Sequence, residues 1–211
     1  MKKSEELFDV YDEKRNWLGV APRSEVHAKG LWHQTFQCWI VRMEGDNAHL
    51  LLQLRHPDKD LFPNLLDISC AGHLAAGESV EEGARELEEE LGLQVSFEDL
   101  IPCGVFAEED FVSEQVIDRE FCHVFLYQCD QDLRSYELQP DEVTGLYAVK
   151  VSALKQLLHG ECAEIPALGY RRGADGAYVK EVWDITLGEL VPHPMAYYEQ
   201  LFQKMDERGW C

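Results

Sequence analysis

Short apolar, β-prone runs at Leu7–Tyr11 and at residues 17–21 flank a polar turn at 12–16, which predicts an opening β-hairpin. Pro22 and Gly30 then bracket a short irregular or helical piece. Residues 35–42 and 49–55 are β-rich, and Glu44, Gly45, Asp46 and Asn47 between them supply turn chemistry. Residues 67–71 form a short strand running into a glycine-bearing loop. Over residues 80–91 the apolar period lengthens to that of a helix. Strands follow at 101–107 and 121–129, with a further one at 146–149, and helices at Val151–Leu158 and 195–208. Beyond Gly160 the pattern weakens, and residues 170–176 read as a loop. No internal repeat or low-complexity linker interrupts the chain. Strands interleaved with helices predict one α/β domain over residues 1–211. It has an N-terminal hairpin (1–31), a core over about 32–160 and a C-terminal helical extension (161–211) packed upon it.

The helix at 80–93 has two distinct faces. At about 100° per residue, Val80, Ala84, Leu87 and Leu91 share one stripe, which is the face to bury. Glu86, Glu89 and Glu90 stand at i, i+3 and i+4 and share another. Gly92 ends the helix as a C-terminal cap residue does. Arg85 is the sole cation between Glu78 and Leu93. Carboxylates at this spacing repel by a few tenths of a kcal/mol each even when exposed. The face is therefore either solvated acidic surface or a site for a hard cation. Mg²⁺ takes oxygen ligands in octahedral array, and the loop 71–77 can add a backbone carbonyl to the carboxylates.

Composition narrows the partners. The chain has 211 residues, with 40 Asp+Glu against 19 Lys+Arg and a formal charge of −21. Hydrophobic residues make up 45%, enough for a packed core and against compositional disorder. The acidity excludes a nucleic acid polymer, which needs a basic face, and disfavours an anionic membrane surface. It leaves room for a small anionic substrate, because a bound metal ion inverts the local field. The seven cysteines are odd in number and lack CxxC spacing, and the first residues hold no apolar segment. No apolar run approaches the roughly 18 residues of a membrane span. The expectation is a reduced, cytoplasmic protein with buried thiols.

Residues 71–93, AGHLAAGESVEEGARELEEELGL, resemble the signature of the Nudix hydrolases: Gly, five residues, Glu, seven residues, then Arg-Glu-apolar-x-Glu-Glu-x-Gly-apolar. Gly72, Glu78, Arg85, Glu86, Leu87, Glu89, Glu90, Gly92 and Leu93 fill those places. One departure is that only six residues, 79–84, separate Glu78 from Arg85, so the chain is shortened in the loop or the first helical turn. The resemblance implies an α/β/α sandwich with a mixed sheet. It also implies attack of water on a diphosphate linked to another moiety, with Mg²⁺, or Mn²⁺ as a substitute. Carried over by position, Glu86, Arg85 and Glu89 are the catalytic candidates. Glu89 and Glu90 would ligate metal, Glu86 would ligate metal or help activate water, Arg85 would orient Glu86, and the Ala71 carbonyl is a further ligand. The chemistry is coherent in itself: metal neutralises a diphosphate, and a carboxylate within reach of the attacking water takes its proton.

A second resemblance is narrower. Residues 55–73, RHPDKDLFPNLLDISCAGH, are similar to the matching stretch of type I isopentenyl diphosphate isomerases, which share the Nudix fold. Arg55, Lys59, Pro63, Gly72 and His73 align without a gap, and the resemblance makes Arg55 and Lys59 candidates for binding the substrate diphosphate, against ordinary surface charge. His27 and His33 precede a strand as two metal-binding histidines of the isomerase do, one residue closer together. Asp118 and Glu120 align with its acidic metal pair. His27, His33 and His73 with Glu120 and Glu90 thus form a candidate second metal site, of a kind suited to a transition metal; polar packing is the other reading. Glu120 could instead complete the Mg²⁺ site. The isomerase's catalytic cysteine immediately precedes its Gly-His pair. Ala71 stands there in this chain, and Cys70, one residue earlier, faces the other side of a strand. The isomerases also lack the full glutamate array, so both differences favour hydrolysis.

Other features read as structure. Trp32, Phe36 and Trp39 are taken as core packing rather than a stacking platform, Tyr170, Arg171 and Arg172 as a surface loop, and His193 between two prolines as a stiff entry to the last helix. The function expected is Mg²⁺-dependent hydrolysis of a small nucleoside diphosphate derivative or related diphosphate. An isomerase-like enzyme and a non-catalytic nucleotide-sensing module are the alternatives, and a homodimer is left open. A sensing module would be marked by loss of the glutamate array, which is intact here.

Overall fold

The computed structural model describes residues 5–113, 116–173 and 176–210. The chain opens with an antiparallel hairpin, β1 (Leu7–Tyr11) and β2 (Trp17–Pro22), and a short helix α1 (Arg23–Lys29). Then come β3 (His33–Glu44), β4 (Asn47–Arg55), β5 (Leu66–Asp67), β6 (Cys70–His73) and α2 (Arg85–Leu91). The long pair β7 (Ile101–Ser113) and β8 (Val116–Gln128) follows, then β9 (Val143–Lys150) and α3 (Val151–Leu158). The chain ends with β10 (Ile165–Arg172), β11 (Tyr178–Ile185) and α4 (Met195–Glu207). Among the described residues, nine strands form one sheet in the order β11-β10-β9-β4-β3-β8-β7, with β5 beside β4 and β6 beside β3. β3 and β8 run parallel, which makes the sheet mixed.

Alternation along the strands sorts side chains onto two faces. Trp39 and Val41 of β3, with Leu50, Leu52 and Leu54 of β4, pack against α3 and α4 through Leu154, Leu157, Leu201 and Phe202. Phe36, Cys38, Ile40 and Leu51 point the other way and meet Leu87 and Leu91 of α2. The sheet is therefore sandwiched between helices, as expected, and Phe36 and Trp39 are core residues. Trp32 stacks on Phe121 with ring centroids 4.7 Å apart. The hairpin and α1 make a smaller core of Phe8, Val10, Ala21 and Val26.

A fork in the sheet makes the cleft. β3 and β4 pair only where Val41–Glu44 faces Asn47–Leu50. Further along, β4 follows β9 and β5 while β3 follows β8 and β6. Ser69 closes the crotch: its Oγ accepts the Ile40 N–H at 2.8 Å and its hydroxyl donates to the Leu51 carbonyl. Backbone groups parted by the fork are thereby satisfied.

Two sequence expectations need correcting. The helix over 80–91 is α-helical only from Arg85, and residues Glu82–Ala84 form a tighter 3-10 turn. Ser79 and Glu82 cap each other there, with Ser79 N–H to Glu82 Oε2 at 2.8 Å and Glu82 N–H to Ser79 Oγ at 3.3 Å. Gly83 presses so close to β3 that a Cβ would lie 2.6 Å from Leu74 and 2.9 Å from Phe36. The second correction concerns the tail. Tyr170, Arg171 and Arg172 belong to a strand, and β10 and β11 widen the sheet before α4 returns across it. Residues 174 and 175 of the expected loop lie outside the described residues. β10 escapes the pattern because its inward positions include the small Ala167 and Gly169. A Cβ on Gly169 would stand 2.5 Å from the Tyr147 ring, so the aromatic bulk comes from the neighbouring strand.

Candidate functional site

The fork opens into a cleft of about 680 Å³ whose walls carry most of the chemistry-bearing residues singled out above. α2 and β6 form one wall. Gly72 lies hard against Glu86, and the Arg85 guanidinium ties the local carboxylates together. Its Nε and Nη2 donate to Glu78 at 2.6 and 3.1 Å, and its Nη1 donates to Glu86 at 2.6 Å and Glu89 at 3.0 Å. The shortened spacing between Glu78 and Arg85 is thus closed by a two-pronged ion pair. Hydrogen bonding to Glu78 pushes the guanidinium pKa up.

Glu90 is the buried member of the array, 4% exposed. It accepts the Ala71 N–H at 3.2 Å and lies 3.5 Å from Gln53 Nε2. Burial, and then the neighbouring Glu86, push its carboxyl up to about 7. Glu86 is also raised, mainly by burial, while Glu89 is half exposed. Ala71 lines the same wall, and Cys70 before it is fully buried in the core under α2.

The β7–β8 pair forms the facing wall. Glu108 stands opposite Glu120 and Asp110 opposite Asp118. Like charges so opposed are unfavourable without compensation. Burial and then Asp118 push Glu120 well above the carboxylate range, and burial and then Asp110 push Asp118 up to about 6. Thr35 Oγ1 donates to Glu120 at 3.2 Å.

Three imidazoles close the end of this wall. His27 comes from α1, His33 from the start of β3 and His73 from the end of β6. Register brings them together: His33 pairs with Glu120 across the parallel β3–β8 ladder, and Thr35 with His73. His27 and His33 Nε2 each lie 3.6 Å from Asp118 Oδ1, and His73 Nε2 lies 3.5 Å from Glu120 Oε1. Phe8 stacks on His73 and His33 with centroids 4.8 and 5.4 Å away. Burial pulls His27 and His33 down to about 4 and holds His73 well below its ordinary value, which favours the neutral imidazole. Their Nε2 atoms and Asp118 Oδ1 are buried without a hydrogen-bond partner. Among the described residues, two triads of potential ligand atoms close to within 4.8 Å: His27, His33 and His73, and His33, Asp118 and Glu120. Neither triad includes a carboxylate of α2. Convergent, unpartnered imidazole nitrogens beside carboxylates fit a transition metal, and the oxygen-only donors of α2 fit a harder ion such as Mg²⁺.

Arg55 and Lys59 sit apart from these two walls. Arg55 Nη1 donates to Asp67 at 2.7 Å, and its Nε and Nη2 donate to the Leu61 carbonyl at 3.1 and 3.0 Å. Lys59 pairs with Glu142. Both line the cleft, as does Arg23, which the sequence did not single out. Glu108, Asp110, Asp67 and His193 were also missed. The first two carried a signal: acidic residues alternate in both Glu108-x-Asp110 and Asp118-x-Glu120, and a hairpin joining those strands faces them at each other. His193 carried none.

The forked α/β/α sandwich with a glutamate helix beside the cleft is matched by a family of anhydride-cleaving hydrolases. The profile of the NUDIX domain matches residues 31–165, and the chain belongs to the Nudix hydrolase family. It is 41% identical over 195 residues to an uncharacterized Nudix hydrolase of Clostridium acetobutylicum, covering 92% of this chain and 94% of that one. It is 28% identical over 156 residues to an isopentenyl-diphosphate Delta-isomerase of Photorhabdus laumondii, covering 74% and 83%. A crystal structure of a Deinococcus radiodurans protein superposes with a TM-score of 0.57 at 23% identity, over 74% of this chain and 90% of that one, a likeness of fold. No helix among the described residues is long and apolar enough to cross a membrane.

Proposed function

We propose that the cleft binds a small diphosphate compound together with Mg²⁺ and hydrolyses its diphosphate linkage, the substrate being a nucleoside diphosphate derivative or a related diphosphate. The observation that carries this reading is Glu90, a buried carboxylate whose ionised form is under-compensated by its protein partners and which sits beside Glu86. A divalent cation supplies the missing compensation. Glu86, Glu89 and Glu90 would hold it, with Glu120 or the Ala71 carbonyl as further oxygen ligands. When bound, the metal neutralises the diphosphate and makes water a better nucleophile. Arg85 keeps Glu86 and Glu89 in place, and Glu86 is the carboxylate available to take a proton from the attacking water. Arg55 and Lys59 receive the diphosphate oxygens. The histidine cluster with Asp118, and with Glu120 where it is not drawn to the first ion, would hold a second, transition metal.

That cluster also favours a second reading, an isomerase of isopentenyl diphosphate. Against it stand Ala71 in place of the catalytic cysteine and a Cys70 thiol that is fully buried and pushed well up by burial. The six free cysteines among the described residues fit a reducing, cytoplasmic setting. A panel of diphosphate compounds with Mg²⁺ or Mn²⁺, assayed for released phosphate or monophosphate, tests the reading. Glu89→Gln and Glu90→Gln should each lose most turnover while folding normally, and unchanged activity in both would sink the assignment. Conversion of isopentenyl to dimethylallyl diphosphate without phosphate release would support the isomerase instead.

A further inference from the structure

His193 lies beyond the residues matched by the family profile, in the segment joining β11 to α4, yet its imidazole sits in the cleft. Its Nδ1 faces Glu108 Oε1 and Oε2 at 3.0 and 3.2 Å, and its Nε2 faces Asp67 Oδ1 at 3.1 Å. A ring with a carboxylate on each nitrogen donates to both only as the imidazolium. The three side chains are 9%, 7% and 5% exposed for His193, Asp67 and Glu108. Tyr197 of α4 stacks on the ring at 4.8 Å. The second oxygen of Asp67 accepts the Arg55 guanidinium. A continuous line, Glu108–His193–Asp67–Arg55, therefore runs from the β7 wall to the cationic side.

The charges in this line matter more than its stiffness. Asp67 alone would neutralise Arg55. With His193 between them the two carboxylates are matched by two cations, whereas Asp67 and Glu108 against Arg55 alone would leave a net negative charge facing an anion in the cleft. Glu108 is likewise balanced, which relieves its opposition to Glu120. Removing His193 would leave the buried Glu108 carboxylate uncompensated and Asp67 to Arg55 alone.

We infer that His193 is a positioning residue of the cleft: through Asp67 it fixes the orientation of Arg55 toward a substrate diphosphate and offsets the carboxylate charge around it. The inference rests on the reading of Arg55 as a diphosphate ligand. It makes the C-terminal extension part of the binding site.

The test is calorimetric binding of inorganic pyrophosphate, with Mg²⁺, to the full chain and its variants. Wild type should bind, and Arg55→Ala and His193→Gln should each weaken binding by about tenfold, a loss of one charge-assisted contact. The double variant should bind no more weakly than Arg55→Ala, since the two residues act as one unit. In turnover, His193→Gln should raise KM by a similar factor and leave kcat within about threefold, which removal of uniform binding implies. Asp67→Asn is the second variant, should His193→Gln fail to fold, and the same non-additivity with Arg55→Ala is expected. Wild-type affinity in His193→Gln, or losses that multiply with Arg55→Ala, would overturn the inference while wild-type binding stands. Absence of pyrophosphate binding to wild type would overturn the diphosphate reading itself, and the inference with it.

Discussion

Gly72 is the position where a single methyl group separates catalysis from stability. A Cβ added there would lie 2.2 Å from Glu86 Cδ, 2.3 Å from its Oε1 and 2.7 Å from its Cγ. Ordinary contacts between carbon atoms are about 3.5–4.0 Å, so the carboxylate must withdraw by roughly 1 Å or more. The atoms displaced are the far end of a side chain, which can rotate away at about 1 kcal/mol. For a chain of this length that lowers Tm by about 2–4 °C. The withdrawal also breaks the Arg85–Glu86 bond, on the same guanidinium that holds Glu78 and Glu89. A misplacement of about 1 Å in a catalytic array costs roughly a hundredfold in rate. Gly72→Ala should therefore lose about two orders of magnitude in kcat/KM with Mg²⁺, with only that small shift in melting. Adding it to Glu86→Ala should do little more than Glu86→Ala alone, because both act through one carboxylate. Full activity in Gly72→Ala would refute the placing of Glu86 in the reaction. So would a loss of activity that only tracks unfolding.

Three further outcomes follow from the same geometry. Turnover should vanish with a chelator and return with added Mg²⁺ or Mn²⁺, read as monophosphate or phosphate release. His73→Ala and Asp118→Asn should each lower the transition metal retained after dialysis, measured by elemental analysis, while Arg171→Ala on β10, beside the edge strand β11, leaves it unchanged. Burial alone would lower the His193 pKa, but its bonds to Asp67 and Glu108 outweigh this and hold it up to about 10. A basic group raised in the fold stabilises fully below its unfolded pKa near 6.5, and that stability is lost as pH rises through about 10. Thermal melts from pH 7 to 10 should thus fall more steeply for wild type than for His193→Gln, and parallel slopes would contradict it.

What the sequence revealed depended on how local each signal is. The stripe of Val80, Ala84, Leu87 and Leu91 was legible from helical spacing, and all four pack on the core beneath α2, although Val80 and Ala84 are half-buried and precede the α-helix itself. The opening hairpin, the strands of the central sheet and the sandwich of helices were legible for the same reason. β10 was not, because Ala167 and Gly169 give up their volume to Tyr147, and a strand that receives bulk shows no apolar run of its own. The first turn at Glu82–Ala84 tightens because Gly83 meets β3 and Leu74, a contact no local pattern encodes. His193 was the hardest to see. Its partners at 67 and 108 are brought to it only by the fork in the sheet and the return of the chain into α4. Arg85 lies between these cases. Its neighbours at 86 and 89 were readable from helix geometry, but its grip on Glu78 depended on how the shortened loop closes.

Anomalous scattering from crystals soaked with Mn²⁺ and a non-hydrolysable diphosphate analogue tests the metal-binding role of α2 most directly. The expected result is a peak at ordinary Mn²⁺–oxygen bonding distance from carboxylates among Glu86, Glu89 and Glu90, shared with oxygens of the analogue. Density at His27, His33 and His73 alone, with none at α2, would contradict it.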